Sequence, residues 1–211
     1  MSTTYLFDLD GTLADTDADI RASWKLAIAD AGLSCPTFDT DFITGPTLEE
    51  MVVKLFPGHD PAVLAPRLRE HFSAHYDHDG FPLTREYPGV LDAVRRLKAA
   101  GARVFIATNK RHVAAVAIAR HFGWESVFEG VYAGDMLAAQ GGPKMRKPEL
   151  LAHLMATEGV TAADCIMVGD TINDFEAARK NGIRSIAVAW GYGTDAERAQ
   201  ADRLVRTPEE L

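Results

Sequence analysis

The sequence predicts an α/β protein: a parallel sheet covered by helices on both faces, interrupted early by an all-helical insertion. Two observations carry this expectation. Short apolar runs alternate with amphipathic stretches through most of the chain, which is the pattern of βα units and a parallel sheet. Between Thr16 and Arg85 the alternation stops and only helical patterns follow one another. A stretch that long does not serve as a connecting loop in a compact domain, so it reads as an inserted helical subdomain. The division expected is a core of residues 1–15 and 86–211, with residues 16–85 as the insertion.

In chain order, the first strand is expected at Tyr5–Leu9. The insertion reads as three helical stretches, DADIRASWKLAIADAG, TLEEMVVKLF and DPAVLAPRLREHFSAHYDH. Pro82 and the turn Tyr87-Pro88-Gly89 then punctuate the return to the core. Strands follow at Arg103–Ala107 (RVFIA), Gly130–Ala133 (GVYA), Cys165–Val168 (CIMV), Ser185–Val188 (SIAV) and Arg203–Val205. Between most of them lie helical stretches, VLDAVRRLKAAG, HVAAVAIARHFG, PELLAHLMATEG and DFEAARKNG, several running into a glycine stop.

Bulk properties narrow the function classes. At 211 residues the chain can bury a core and still carry an insertion. A net charge of −8 argues against a protein that wraps nucleic acid or lies on an anionic membrane. Cys35 and Cys165 stand far apart with no CxxC, which reads as two reduced thiols of a cytoplasmic protein. The start lacks the basic and apolar pattern of a signal peptide, and no apolar run is long enough to cross a bilayer.

The chemistry lies at the strand ends, where open parallel sheets gather ligands. The first strand ends in Asp8-Leu9-Asp10-Gly11-Thr12, the second in Thr108-Asn109, and the fourth in Gly169-Asp170-Thr171-Ile172-Asn173-Asp174. Lys147-Pro148 opens the helix between the third and fourth. Carboxylates after an apolar strand must be hydrogen-bonded, paired or bound to metal, because an isolated buried charge is costly. Up to four of them on one rim repel each other, and a hard divalent cation resolves the repulsion. Mg²⁺ favours oxygen sites with one or two carboxylates plus waters and phosphate oxygens. Thr108, Asn109 and Lys147 are donors that suit phosphate oxygens, so the residue types together point to Mg²⁺-assisted phosphoryl chemistry.

Each piece alone has a plainer explanation: Asp-Gly is a turn, Thr-Asn a helix cap, and GDxxxD a capped helix entry. Their joint order at successive strand ends carries the argument. Other metal sites fail on spacing. An EF-hand loop needs its glycine at the sixth position, and counting from Asp8, Gly11 is the fourth. His71, His75 and His78 share a helical face, but without HExxH or a nearby cysteine a solvated face is favoured over zinc.

On these residues the chain resembles the haloacid dehalogenase-like superfamily, and within it the phosphoglycolate phosphatase-like hydrolases with a helical cap. DLDGTLADT matches the first motif, IATN the second, MRKPELLAHLM around Lys147 the third, and VGDTINDFEAARKNGI the fourth. Lys144 is a second candidate in the third motif, and family spacing favours Lys147. FITGPTLEEMV and AWGYGTDAE also look like this branch.

The resemblance implies a doubly wound, Rossmann-like core with a cap over the strand ends, and Mg²⁺ as the cofactor. Asp8 would be the nucleophile that forms an aspartyl-phosphate, and Asp10 the acid and then base. Asp8, the backbone carbonyl of Asp10, and Asp170 would bind the metal. Thr108, Asn109 and Lys147 would bind the phosphoryl oxygens, with Thr108 and Lys147 counted as catalytic. Asp174 would position the metal's water or Lys147.

Within the superfamily, dehalogenases lack the second Asp of the first motif, so Asp10 sets this chain apart from them. A phosphonate-cleaving relative would use a cap lysine, whereas Lys25 and Lys54 read as solvated. Phosphosugar mutases share all four motifs, and pyrophosphatases and nucleotidases are further alternatives. A signalling receiver carries its acceptor Asp on a middle strand and has no cap. Thr16, Asp17, Arg21, Thr44 and Thr47 are candidates for substrate selection, and Lys110 and Arg111 for attracting anions. The expected partner is a small phosphorylated metabolite such as 2-phosphoglycolate, and the expected assembly a monomer or homodimer.

Overall fold

The computed structural model describes residues 2–77 and 80–211, so His78 lies outside the described residues. Strand β1 spans Thr4–Phe7 and a short strand β2 follows at Ala14–Asp15. Helices α1 (Asp17–Asp30), α2 (Phe38–Asp41), α3 (Leu48–Leu55) and α4 (Pro61–Tyr76) come next. The chain continues through β3 (Arg85–Glu86), α5 (Val90–Ala99), β4 (Arg103–Thr108), α6 (His112–His121) and β5 (Val131–Ala133). Last come α7 (Lys147–Glu158), β6 (Cys165–Gly169), α8 (Ile172–Lys180), β7 (Arg184–Val188), α9 (Asp195–Arg198) and β8 (Arg203–Val205).

Six strands form one sheet in the order β5-β4-β1-β6-β7-β8, with every neighbouring pair parallel. This is the doubly wound order: the chain builds outward from β1 on one side, then returns to build outward from β6 on the other. The reversal falls between β1 and β6, where such sheets open a crevice at their strand ends. Side chains alternate between the faces. Leu6, Phe105, Ala107, Cys165 and Met167 pack against Leu150, Leu151 and Leu154 of α7 and Ala177 and Ala178 of α8. Each fully buried leucine contributes roughly 1.5–3 kcal/mol. Phe7, Val104 and Ile106 are buried on the opposite face, where the Phe7 ring meets Phe128 edge-on at 5.9 Å.

The first strand ends two residues earlier than its apolar run suggests. Asp8 still donates its N–H to Val168 O at 2.9 Å, but the Leu9 carbonyl accepts from the N–H groups of Thr12, Leu13 and Ala14. That turn lifts the chain out of the sheet while Leu9 itself stays buried. The short antiparallel ribbon of β2 and β3 pairs Ala14 with Glu86 and Asp15 with Arg85, and its two-residue strands carry no periodic signal.

The chain divides into two compact units, Met1–Asp15 with Arg85–Leu211, and Thr16–Thr84. The second is helical, with a core that includes Trp24, Ile28, Met51, Val52, Leu55, Leu64 and Leu68. Trp24 lies at 5.6 Å from the Phe42 ring and 6.0 Å from Phe72. Asp19 of α1 is buried and accepts hydrogen bonds from the N–H groups of Leu83 and Thr84 and from Thr84 Oγ1 at 2.7 Å. Among the described residues no helix is long and apolar enough to cross a membrane.

Because Asp19 satisfies three donors at once, two of them buried on Thr84, its removal leaves them unpaired, at about 1–3 kcal/mol for each buried group. Asp19→Ala is expected to lower unfolding free energy by about 3 kcal/mol, read from urea titrations of wild type and variant. A loss under about 0.5 kcal/mol would show that water replaces the carboxylate.

Candidate active site

Four of the sequence-predicted residues converge at the reversal of strand order. Asp8 follows β1, Asp170 and Asp174 follow β6, and Lys147 opens α7. Lys147 Nζ lies 2.8 Å from Asp8 Oδ1 and 2.5 Å from Asp174 Oδ1, as ion pairs rather than well-aligned hydrogen bonds. The lysine side chain is 2% exposed and that of Asp174 is wholly buried. Lys144, the other candidate, is exposed. Carboxylate oxygens of Asp8, Asp170 and Asp174 all lie within 4.8 Å of one another.

Local structure explains these placements. Asp174 Oδ2 accepts from the N–H groups of Asp170 at 3.2 Å and Thr171 at 3.1 Å, and so caps the start of α8. Its Oδ1 is thereby turned toward Lys147. Asp170 Oδ2 accepts the Tyr192 N–H at 2.7 Å, while Asp170 Oδ1 is buried and accepts no hydrogen bond.

Electrostatics follow from burial and crowding. Burial, more than any neighbour, pushes Asp170 up to about 8, and repulsion from Asp174 and Asp8 adds to it. Asp8 is pushed up to about 6, again chiefly by burial, with Lys147 pulling the other way. For Lys147 burial favours the neutral amine, but Asp174 and Asp8 outweigh it and hold the ammonium above its ordinary range. Three carboxylates facing one ammonium leave two negative charges unmatched when all are ionised. The surplus and the orphaned Asp170 oxygen together make a donor set that fits a hard divalent cation.

The remaining predicted residues sit around this cluster. Asp10 stands outside the carboxylate trio, and its Oδ1 is 2.9 Å from Lys110 Nζ, a pair whose side chains are 21% and 6% exposed. Thr108 is buried at the end of β4, its hydroxyl oxygen accepting the Lys110 N–H at 3.1 Å. Asn109 is exposed beyond it. In the helical unit Arg21 and Thr44 each donate to the Asp17 carboxylate, and the Arg21 guanidinium lies 4.9 Å over the Phe42 ring. Thr47 instead caps α3 by accepting from the Glu50 N–H, and Thr16 is buried. His75 pairs with Asp30, and Lys25 with Asp39.

Two contributions were not anticipated from sequence: the Lys110–Asp10 pair and the clasp of Tyr192 on Asp170. The first had a visible signal in the basic Lys110-Arg111 directly after Thr108-Asn109. The second had one in Gly191-Tyr192-Gly193, since glycines after a strand mark close backbone approach. Two cavities of about 260 and 280 Å³, one beside His112, Trp124 and Phe128 and the other beside Lys25, Cys35 and Phe38, include none of the clustered carboxylates.

Comparison with known proteins identifies the family. Residues 5–188 match the family model described as haloacid dehalogenase-like hydrolase. A 5′-nucleotidase from Pseudomonas aeruginosa is 32% identical over 91% of this chain and 85% of its own length. A phosphoglycolate phosphatase from Agrobacterium fabrum is 34% identical over 91% of this chain and 82% of its own. Among solved structures, one described as a predicted phosphatase from Clostridium acetobutylicum superposes with a TM-score of 0.86. It is 26% identical, and the match covers 100% of this chain and 97% of that one. The chain belongs to the haloacid dehalogenase-like hydrolase family.

Proposed function

We propose that this chain, a phosphoric monoester hydrolase by family and by relatives, hydrolyses a small organic phosphate through a phosphoryl group held transiently on Asp8. The observation that carries the reading is Lys147 buried between Asp8 and Asp174 beside the orphaned oxygen of Asp170. Asp8, Asp170 and the backbone carbonyl of Asp10 would hold Mg²⁺. When bound, the ion would neutralise charge between the carboxylates and the phosphate oxygens.

The chain's own residues then divide the work. Asp8 attacks phosphorus, and the bond to the ester oxygen breaks with its electron pair leaving on that oxygen. Asp10 supplies the proton that the leaving alkoxide needs. A water then attacks the phosphorus of the aspartyl-phosphate, Asp10 takes its proton, and the bond to Asp8 breaks to release phosphate. Lys147, Asn109 and the Thr108 hydroxyl donate to the phosphoryl oxygens, where fixed donors contribute most to phosphoryl transfer. Thr108 is suited to this, because its oxygen accepts from Lys110 N–H and its own proton is left to donate.

Lys110, close to Asp10, supports a substrate whose leaving group carries a second negative charge, as 2-phosphoglycolate does. The phosphoglycolate phosphatase relative favours the same substrate. The nucleotidase relative favours a second reading, a nucleoside monophosphate. Comparing kcat/KM for the two decides between them. The helical unit Thr16–Thr84 is proposed as the cap that selects substrate and excludes water.

The raised Asp170 and Asp8 make metal binding pH-dependent. From about pH 4 up to about 8 the folded, metal-free protein holds protons that the unfolded chain has released. Its stability therefore falls as pH rises through that window. A divalent cation must displace the Asp170 proton, so its affinity rises with pH to about 8. Thermal unfolding in EDTA and in Mg²⁺ is expected to show a Mg²⁺-induced gain in Tm that grows across this range. Asp170→Asn should abolish both the gain and the slope above about pH 6. A gain of constant size would contradict the assignment.

The roles of Asp8 and Asp10 separate by leaving group. Asp8→Asn is expected to stop turnover of every substrate. Asp10→Asn should release a near-stoichiometric burst from p-nitrophenyl phosphate, whose leaving group barely needs a proton, and then stall. With 2-phosphoglycolate it should show no burst, since the missing acid is worth roughly 10²–10⁴-fold. Stopped-flow traces check this on variant shown to bind Mg²⁺ normally. Equal slowing of both substrates without a burst would leave Asp10 as a metal-site residue alone.

A further inference from the structure

The loop after β7 makes an unusual number of attachments for a segment that carries none of the proposed reacting groups. Trp190 Nε1 donates to Thr12 O at 3.1 Å, which pins the loop to the turn after β1. Arg198 donates to Gly191 O at 3.2 Å from α9. Among its contacts Tyr192 reaches in opposite directions, its N–H donating to Asp170 Oδ2 at 2.7 Å and its hydroxyl to Asp15 Oδ1 at 2.8 Å, with the Tyr87 hydroxyl beside it. The glycines on either side let the loop lie flat against the site. A Cβ on Gly191 would sit 2.3 Å from Asp170 Cβ and from Gly11 O, and one on Gly193 would sit 1.8 Å from Asp170 O. The Tyr192 ring itself borders Gly11, where an added Cβ would come within 2.8 Å of ring atom Cδ2.

We propose that Tyr192 is a positioning residue for the metal carboxylate: by spanning Asp15 and Asp170 it fixes which Asp170 oxygen a divalent cation meets. Oδ2 is engaged by the Tyr192 N–H, so the buried Oδ1, which accepts no hydrogen bond, is the oxygen presented. A carboxylate free to rotate would offer either oxygen and lose affinity to that freedom. Partners that orient a metal ligand in this way are worth about tenfold or more in affinity when well buried. The Tyr192 hydroxyl bond is exposed, so its share is smaller than that of the ring and loop together.

The inference rests on the Mg²⁺ reading above, and the test separates the two. Mn²⁺ binding to the full chain without substrate is measured by electron paramagnetic resonance of the free ion. Kd is obtained for wild type, Tyr192→Phe, Tyr192→Ala, Asp15→Ala, Asp15→Asn and the double variant Tyr192→Phe/Asp15→Ala, each checked for folding by its thermal transition. Tyr192→Phe keeps the ring on Gly11 and should weaken Mn²⁺ about threefold, and Tyr192→Ala about tenfold. Asp15→Ala should match Tyr192→Phe, and the double variant should be no weaker than either single. Asp15→Asn, which keeps an acceptor but not the charge, should bind near wild type. Activity lost at limiting Mg²⁺ in Tyr192→Phe should return as Mg²⁺ is raised. The proposal is overturned if both Tyr192 variants bind Mn²⁺ as wild type does, or if the single effects multiply in the double variant. Wild type that binds no Mn²⁺ overturns the metal reading, and this proposal with it.

Discussion

Burying the Lys147 ammonium costs several kcal/mol of hydration, and the two carboxylates at 2.8 and 2.5 Å are what offset it. The lysine is also the first residue of α7, where a helix dipole disfavours positive charge. Asp8 and Asp174 must therefore be in place for the lysine to be charged and buried, and the lysine for them. Removing one member of such a buried set typically costs about 3–5 kcal/mol, because the others are left unmatched. The trio of carboxylates exceeds what one ammonium can balance, and the metal-free protein relieves part of the excess by keeping a proton on Asp170. That imbalance connects the fold to the proposed chemistry: a divalent ion that displaced the Asp170 proton would neutralise the carboxylates that the ammonium leaves unmatched.

The scaffold achieves this crowding by sharing residues between structural and chemical tasks. Asp174 caps α8 with one oxygen and faces Lys147 with the other. Asp8 extends the pairing of β1 with β6 through its N–H while its side chain joins the cluster. The reversal of strand order between β1 and β6 brings these residues together, since both strands end at the same rim and no chain crosses between them. The loop at Gly191–Gly193 presses on the same rim from β7, so three successive strand ends converge on Asp170.

Much of this was legible in the chain. The apolar runs named the strands of the sheet within a residue or two, because parallel strands buried on both faces leave little room for polar residues, although the edge strand β8 is mostly exposed. The carboxylates were legible for the same reason, being costly where the pattern is otherwise apolar. What stayed hidden depends on tertiary approach. Lys110 reads as a candidate for attracting anions, and its reach to Asp10 needs the turn that lifts Asp10 above β1. Thr47 reads as a candidate substrate contact, and its role as the cap of α3 is a second task that the sequence did not single out. Tyr192 is far from Asp15 and Asp170 in sequence, and only its flanking glycines hinted that backbone comes close. The β2–β3 ribbon is too short for any periodicity to show.

The relatives span a nucleotidase and a phosphoglycolate phosphatase, so a shared core serves different leaving groups. Under the proposed mechanism such a core holds in common a carboxylate that takes the phosphoryl group, and in this chain the proposal assigns that role to Asp8. The most direct measurement is to quench the enzyme in acid during turnover, reduce it with borohydride, and map the digest by mass spectrometry. An acyl phosphate is reduced to an alcohol under these conditions whereas a free carboxylate is not. The account predicts homoserine at position 8, present with substrate and absent without it. Aspartate unchanged at position 8, with phosphate still produced under conditions that preserve acyl phosphates, would contradict it.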